Sequence, residues 1–252
     1  MSPQHQVPRP RIVAHRGASA VAPENTIAAF RRAWQLGVEA CELDVHVTKD
    51  GAAVVIHDAN TKRTAGLDKP VAEQTLAEIE ALDAGAWKGS EFAGERIPTL
   101  GAVLATVPPG RSLFVEIKTG PETAPAIAAA VKDGRPSSTT ILLQGFDADA
   151  LGALAAALPD APAYWTVDPP IDENQQPLPY PTSIIDEAKR KGFAGLALLH
   201  ASVDDAFLRA ARDAGILVDV WTVNDAPLIA AWADRDVRWI ETDRPDLAPV
   251  RR

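Results

Sequence analysis

Seven ionisable side chains stand at or near the ends of short apolar runs, where a charge needs a reason to be. His15-Arg16-Gly17 closes the run Ile12-Val13-Ala14. Taken alone, that triplet fits a solvated rim pair as well as a functional one. In Glu42-Leu43-Asp44 the two carboxylates are two residues apart, so in a strand they project from one face while Leu43 turns to the other. Carboxylates held side by side repel unless a proton or a cation sits between them. Plain surface exposure would also relieve them, but Cys41, Leu43, Val45 and Val47 give this run a buried face, which favours a metal. Val54-Val55-Ile56 ends in His57-Asp58, and Phe114-Val115-Glu116-Ile117-Lys118 puts Glu116 and Lys118 on one face. Glu116 supplies a third oxygen ligand beside Glu42 and Asp44. Lys118 can meet a phosphate as a point charge. Three carboxylates without clustered cysteines or a His-x-His pair suit a hard cation, Mg²⁺ or Ca²⁺, better than zinc. His15 and His57 are then placed to act as acid and base on a bridging phosphate.

The elements that must position these groups alternate between strand and helix. Candidate strands are Ile12–His15, Ala40–Asp44, Ala53–His57, Leu113–Ile117, Thr140–Leu143, Ala161–Trp165, Ala194–Leu198, Leu217–Trp221 and Arg238–Glu241. Ile27, Phe30 and Trp34 mark one helical face that Gly37 stops, and a similar helix–glycine joint recurs at Gly192 and Gly215. Such alternation predicts an α/β fold, a single (β/α)8 barrel with helices outside and its site at the C-terminal strand ends. Nine candidates compete for eight slots. The stretch from Glu42 to His57 is the expected irregularity, because Asp50-Gly51 signals a tight turn with no room for a crossover helix. A two-residue turn there would set His57 opposite Asp44. Residues 59–98 break the rhythm and read as a small insertion over one barrel mouth, with a capping box at Thr75 and Glu78. The whole chain, 1–252, is expected to be one domain. Val167 to Pro181 reads as a long loop.

Composition narrows the partners. Net charge is −9, which argues against nucleic acid, and 46 % apolar residues suit a globular domain. The single cysteine, Cys41, reads as a buried structural thiol and permits no internal disulfide. Met1 to Pro10 has no apolar signal core and no run is long enough to span a membrane, so the expectation is a cytoplasmic protein without integral membrane association. No sequence feature bears on oligomeric state.

With these residues in view, the chain resembles the glycerophosphodiester phosphodiesterases. His15-Arg16-Gly17, Pro23-Glu24-Asn25-Thr26, Glu42-Leu43-Asp44-Val45, Thr48-Lys49-Asp50-Gly51, His57-Asp58, Glu116-Ile117-Lys118, Trp221-Thr222-Val223-Asn224 and Thr242-Asp243-Arg244-Pro245 carry the likeness, in order, over nearly the whole chain. The resemblance implies a somewhat distorted TIM barrel with an insertion after the His57 strand. It implies metal ligation by Glu42, Asp44 and Glu116, catalysis by His15 and His57, phosphate contacts from Arg16 and Lys118, and a pocket wall at Trp221. The implied reaction turns a glycerophosphodiester into glycerol 3-phosphate and an alcohol, the neighbouring substrate hydroxyl attacking first to give a cyclic phosphate. His57 is preferred as the acid and His15 as the base, with the reverse left open.

Gln144-Gly145-Phe146 departs from the Ser-Phe that commonly ends the fifth strand of the family. His46 is read as structural or rim, Asn25 as a cap of the first helix; His5 and His200 carry no argument. Two rival functions remain. A related enzyme acting on lysophospholipids, or releasing a cyclic phosphate, would need an apolar approach, for which Trp87, Phe92 and Trp165 are candidates. A non-catalytic binding barrel would have no use for both histidines and the full carboxylate set. A zinc amidohydrolase ranks third, for want of His-x-His.

Overall fold

The computed structural model describes residues 11–248. Its strands are β1 (Arg11–Ala14), β2 (Ala40–Val47), β3 (Ala53–Val55), β4 (Ser112–Ile117), β5 (Thr140–Gly145), β6 (Ala163–Val167), β7 (Gly195–Leu199), β8 (Leu217–Trp221) and β9 (Trp239–Thr242). Parallel ladders run β1-β9-β8-β7-β6-β5-β4-β2, and β1 also pairs with β2, so eight strands close into a barrel. β3 stands outside the closed sheet, antiparallel to β2. It is the surplus ninth strand expected between Glu42 and His57.

The hairpin that carries β3 differs in register from the two-residue turn. Thr48 N–H donates to Ala52 O, and Val45 pairs with Val55, so the loop is the three residues Lys49-Asp50-Gly51, with Gly51 at φ 87°. A three-residue loop with glycine in the left-handed position is the next most common hairpin after the two-residue one. The extra residue slides the pairing by one. Ile56, not His57, therefore lies opposite Asp44, donating to its carbonyl at 3.0 Å.

Helix α1 (Ile27–Gln35) connects β1 to β2. Helices α2 (Lys62–Ala65) and α3 (Leu76–Glu80) belong to the stretch that leaves the barrel after β3. There Val54, Ile56, Val71, Ile79, Ala84 and Ile97 bury a small core of their own. The Thr75–Glu78 capping box is formed as the sequence indicates. Helices α4 (Leu100–Leu104), α5 (Ala124–Gly134), α6 (Ala148–Ala157), α7 (Ser183–Arg190), α8 (Asp205–Ala214) and α9 (Ala226–Ala233) then precede β4 to β9 in turn. Among the described residues no helix is long and apolar enough to cross a membrane. Residues 1–10, including His5, lie outside the described residues.

Strand alternation divides the core in two. Outward residues such as Cys41, Leu43, Val45, Val115 and Leu143 pack against the helices. Inward residues Val13, Ala40, Phe114, Leu142, Tyr164 and Trp239 form a separate apolar plug in the barrel. Phe114 meets the Tyr164 and Trp239 rings edge-on at centroid distances of 5.5 and 5.3 Å, a favoured aromatic geometry. Gly195 makes room for the plug, since a Cβ there would lie 2.5 Å from the Tyr164 ring. One step further along the same strands the inward residues turn polar. Glu42, Glu116, Gln144, Thr166, Asp219 and Glu241 are all buried. The plug supports this polar layer.

Candidate active site

A pocket of about 280 Å³ opens at the C-terminal strand ends, and His15, Arg16, Asp44, His57, Glu116 and Lys118 line it. Gln144, Phe146, Trp221 and Glu241 complete much of its wall. A hollow of about 320 Å³ beside α5 is lined by Val131, Lys132, Arg135 and Asp160, among others, and holds no histidine and no carboxylate cluster. The chemistry lies at the mouth.

Each group at the mouth is fixed by its local backbone. Arg16 adopts φ 55° and Gly17 φ 78°, turning the chain sharply after β1. A Cβ on Gly17 would come within 2.6 Å of the Ala29 backbone, so only glycine lets this turn seat on α1. The left-handed conformation of Arg16 costs on the order of 1 kcal/mol or more. It aims the Arg16 N–H at Glu42 Oε2, 3.0 Å away, and brings the guanidinium Nε to 3.2 Å from Asp44 Oδ2. Lys118 Nζ lies 2.7 Å from Glu116 Oε1 and 3.5 Å from Asp44 Oδ1.

Glu42, Asp44 and Glu116 are all buried, and one ligand atom from each falls within 4.8 Å of the others. Burial, reinforced by Asp44 and Glu116, pushes the Glu42 carboxyl well above its ordinary range. Burial and the Asp44 charge raise Glu116 as well. Burial also opposes ionisation of Asp44, but Arg16 and Lys118 outweigh it and hold that carboxyl below its usual value. Glu42 Oε1 is buried without a hydrogen-bond partner. Three oxygen donors, one of them unsatisfied, with no thiolate nearby, make a set that could hold a hard divalent cation.

Both histidines are backed by aspartates. His15 Nδ1 lies 2.7 Å from Asp243 Oδ1, and His57 Nδ1 lies 2.7 Å from Asp58 Oδ1. A protonated Nδ1 held this way leaves Nε2 as the working nitrogen. Asn224 Nδ2 donates to Asp243 Oδ2 at 2.6 Å. Burial would raise Asp243, but His15 and its other partners bring it down to about 2. Arg63 on α2 donates to Asp58 Oδ2 at 2.7 Å and to both oxygens of Glu24 at 2.8 Å, while Glu24 also receives Arg16. Those Arg63 hydrogen bonds hold Asp58 far below its ordinary range. Trp221 meets Phe146 edge-on at 6.1 Å on the pocket wall. None of Trp87, Phe92 and Trp165 lines the pocket.

One sequence expectation changes, that for Asn25, while His46 is structural as expected. Thr26, not Asn25, caps α1, accepting from Ala29 N–H at 3.3 Å. Asn25 is buried at φ 58° and donates from Nδ2 to Asp44 Oδ2 at 2.8 Å, so its task is to orient a carboxylate. His46 is buried, its Nε2 3.0 Å from the His57 carbonyl, and burial lowers its pKa; it braces the catalytic candidate beside it. Asp243, Asp58, Glu24 and Arg63 had no assigned role in the sequence reading. Asn25→Gly keeps the positive φ accessible while deleting the amide. It is expected to lower kcat/KM about 10- to 100-fold, as loss of a group orienting a ligand does. Steady-state kinetics together with a thermal melt check this, the melt changing little.

Comparison with known proteins agrees with this geometry. The model of the glycerophosphoryl diester phosphodiesterase family matches residues 15–247. The YhdW protein of Bacillus subtilis (strain 168) is 34 % identical over 243 residues, covering 94 % of this chain and 95 % of its own length. A glycerophosphodiester phosphodiesterase of the same organism is 28 % identical over 254 residues, covering 93 % of this chain and 84 % of its own. Among solved structures, an Oleispira antarctica phosphodiesterase in complex with the product sn-glycerol-3-phosphate superposes with a TM-score of 0.85 at 30 % identity, with 94 % of each chain covered. Matched from His15 to Leu247, this chain is a member of the glycerophosphoryl diester phosphodiesterase family.

Proposed function

We propose that this enzyme hydrolyses glycerophosphodiesters to glycerol 3-phosphate and an alcohol, using a divalent cation, Mg²⁺ or Ca²⁺, held by Glu42, Asp44 and Glu116. The observation that carries the reading is the convergence, in one pocket, of a buried carboxylate trio, two cationic side chains and two aspartate-backed histidines. The product bound to the Oleispira antarctica relative supports the substrate class.

When bound, the cation supplies positive charge against which a phosphate oxygen is polarised. Arg16 and Lys118 contribute their remaining N–H donors to the other phosphate oxygens. His15 Nε2 takes the proton of the attacking glycerol hydroxyl as the new P–O bond forms. His57 Nε2 gives a proton to the departing alcohol as the old bond breaks. Water then opens the cyclic phosphate with the two proton transfers reversed. Asp243 and Asp58 keep each ring oriented throughout. Trp221 bounds the substrate moiety beside Phe146.

A diester whose glycerol lacks the 2-hydroxyl removes the internal nucleophile that binding would hold in place. Its kcat is expected to fall at least about 10³-fold, within the range attributed to effective molarity, with a smaller change in KM. Steady-state kinetics on the matched pair of substrates decides; equal turnover of both would mean direct attack by water.

A further inference from the structure

We propose that the mouth binds a second divalent cation beside the first, between Glu241, the free oxygen of Glu42 and the side-chain carbonyl of Gln144. The inference rests on the metal-dependent reading above for its first site and adds donors which that reading does not use.

Glu241 lies on β9 in the run Trp239-Ile240-Glu241-Thr242, a glutamate inside an apolar strand. It is buried and lines the same pocket as the histidines. One ligand atom each from His15, Glu42 and Glu241 lies within 4.8 Å of the others, a grouping separate from Glu42, Asp44 and Glu116 with Glu42 as the shared member. Glu42 can serve both. Its Oε2 accepts from Arg16 N–H, while Oε1 is buried and unpartnered. The neighbouring β5 residue supplies the independent sign of a missing ligand. Gln144 is 1 % exposed, its amide hydrogen-bonds Glu241, and its Oε1 has no partner. A buried carbonyl oxygen left unsatisfied costs about 1–3 kcal/mol unless something binds it.

Charge points the same way. Glu42, Asp44, Glu116 and Glu241 bring four carboxyl groups to the mouth, faced by the cations of Arg16 and Lys118, and a fifth, Asp219, is buried behind them in register with Trp239. One divalent ion still leaves an excess of negative groups, before an anionic phosphodiester arrives. Protons on Glu241 and Asp219 are the competing remedy. A proton on Glu241 makes one O–H donor, enough for Glu42 Oε1 or Gln144 Oε1 but not for both, whereas an oxygen-liganded cation satisfies both. The amide on β5 and its glutamate partner on β9 thereby become one site.

The test is a metal count on the full chain, stripped with chelator and dialysed against MnCl₂ alone. The wild type is expected to bind two Mn²⁺ per chain. Glu241→Gln and Glu116→Gln should each bind one, and the double variant none. Gln144→Leu, a change of similar volume, should weaken the second equivalent alone by at least about tenfold. Thermal melts establish that each variant is folded. A single equivalent in the wild type, whichever variant removes it, overturns the proposal and leaves Glu241 and Asp219 as protonated acids. So do two equivalents retained by both Glu241→Gln and Gln144→Leu. Loss of one ion in Glu241→Gln with none lost in Glu116→Gln would support the second site while refuting the first.

Discussion

Dialysis of this enzyme against EDTA is expected to abolish phosphodiester hydrolysis, and Mg²⁺ or Ca²⁺ to restore it. Alanine at Glu42, Asp44 or Glu116 should each lower kcat/KM by on the order of 10³-fold even at saturating metal, because each removes one donor from a set of three. The physical basis is the crowding of the trio. The fields of Asp44 and Glu116, together with burial, already make Glu42 reluctant to ionise. Without a cation burial favours protons on Glu42 and Glu116; with one, the same repulsion becomes affinity. Atomic absorption of the stripped and reloaded protein, paired with turnover of glycerophosphocholine, checks both halves. Full turnover by a protein carrying no metal would refute the reading.

The second large effect is expected from the histidines, and it should depend on the leaving group. An alkoxide must be protonated as its bond to phosphorus breaks, whereas p-nitrophenolate departs with little help. His57→Ala is therefore expected to lose about 10²- to 10⁴-fold on glycerophosphocholine and far less on a p-nitrophenyl phosphodiester. His15→Ala should lose activity on both, since either reaction needs the nucleophile deprotonated. Reversal of the pattern would exchange the two roles. Equal losses on both substrates by both variants would mean that the histidines position phosphate together rather than moving protons. The aspartate contacts are equal, 2.7 Å at each ring, so kinetics and not geometry assigns the roles.

The barrel and much of its mouth were legible because strand alternation leaves a direct mark. Glu42 and Asp44 flank an outward Leu43, and the structure buries both carboxylates while Leu43 packs against the helices. The surplus strand was visible for the same reason, since Asp50-Gly51 excludes a crossover. The register of that hairpin was not. Two- and three-residue loops both put glycine at positive φ, so Gly51 does not choose between them, and only the pairing of Thr48 with Ala52 does. The aspartates behind the histidines were harder still. Asp58 adjoins His57 in sequence, but Asp243 is 228 residues from His15, and only closure of β1 onto β9 brings them together. Asn25 looked like a cap because caps and buried ligand-orienting amides use the same residue type. The signal that could have revealed Glu241 and Asp219 was present all along. Each is an acid enclosed by apolar neighbours in a short strand, Ile240-Glu241 and Val218-Asp219-Val220.

The two histidines follow strands of different standing. His15 follows a strand of the closed sheet, while His57 follows β3, which hangs from β2; its Ala53 and Val55 pack into the main core, but Val54 and the next residue, Ile56, belong to the small core of the insertion. Units with their own core and a short hinge open on their own, at a lower free energy than the whole molecule. Such an opening here would break the Arg63 contacts to Glu24 and carry His57 away from the pocket, with the β2–β4 ladder still paired. Amide protons of β3 and of 59–98 should accordingly exchange with deuterium faster than those of β4 and β5. On heating, the enzyme should fall silent several degrees before its helical circular dichroism is lost. Inactivation and unfolding are then two separate events in one chain.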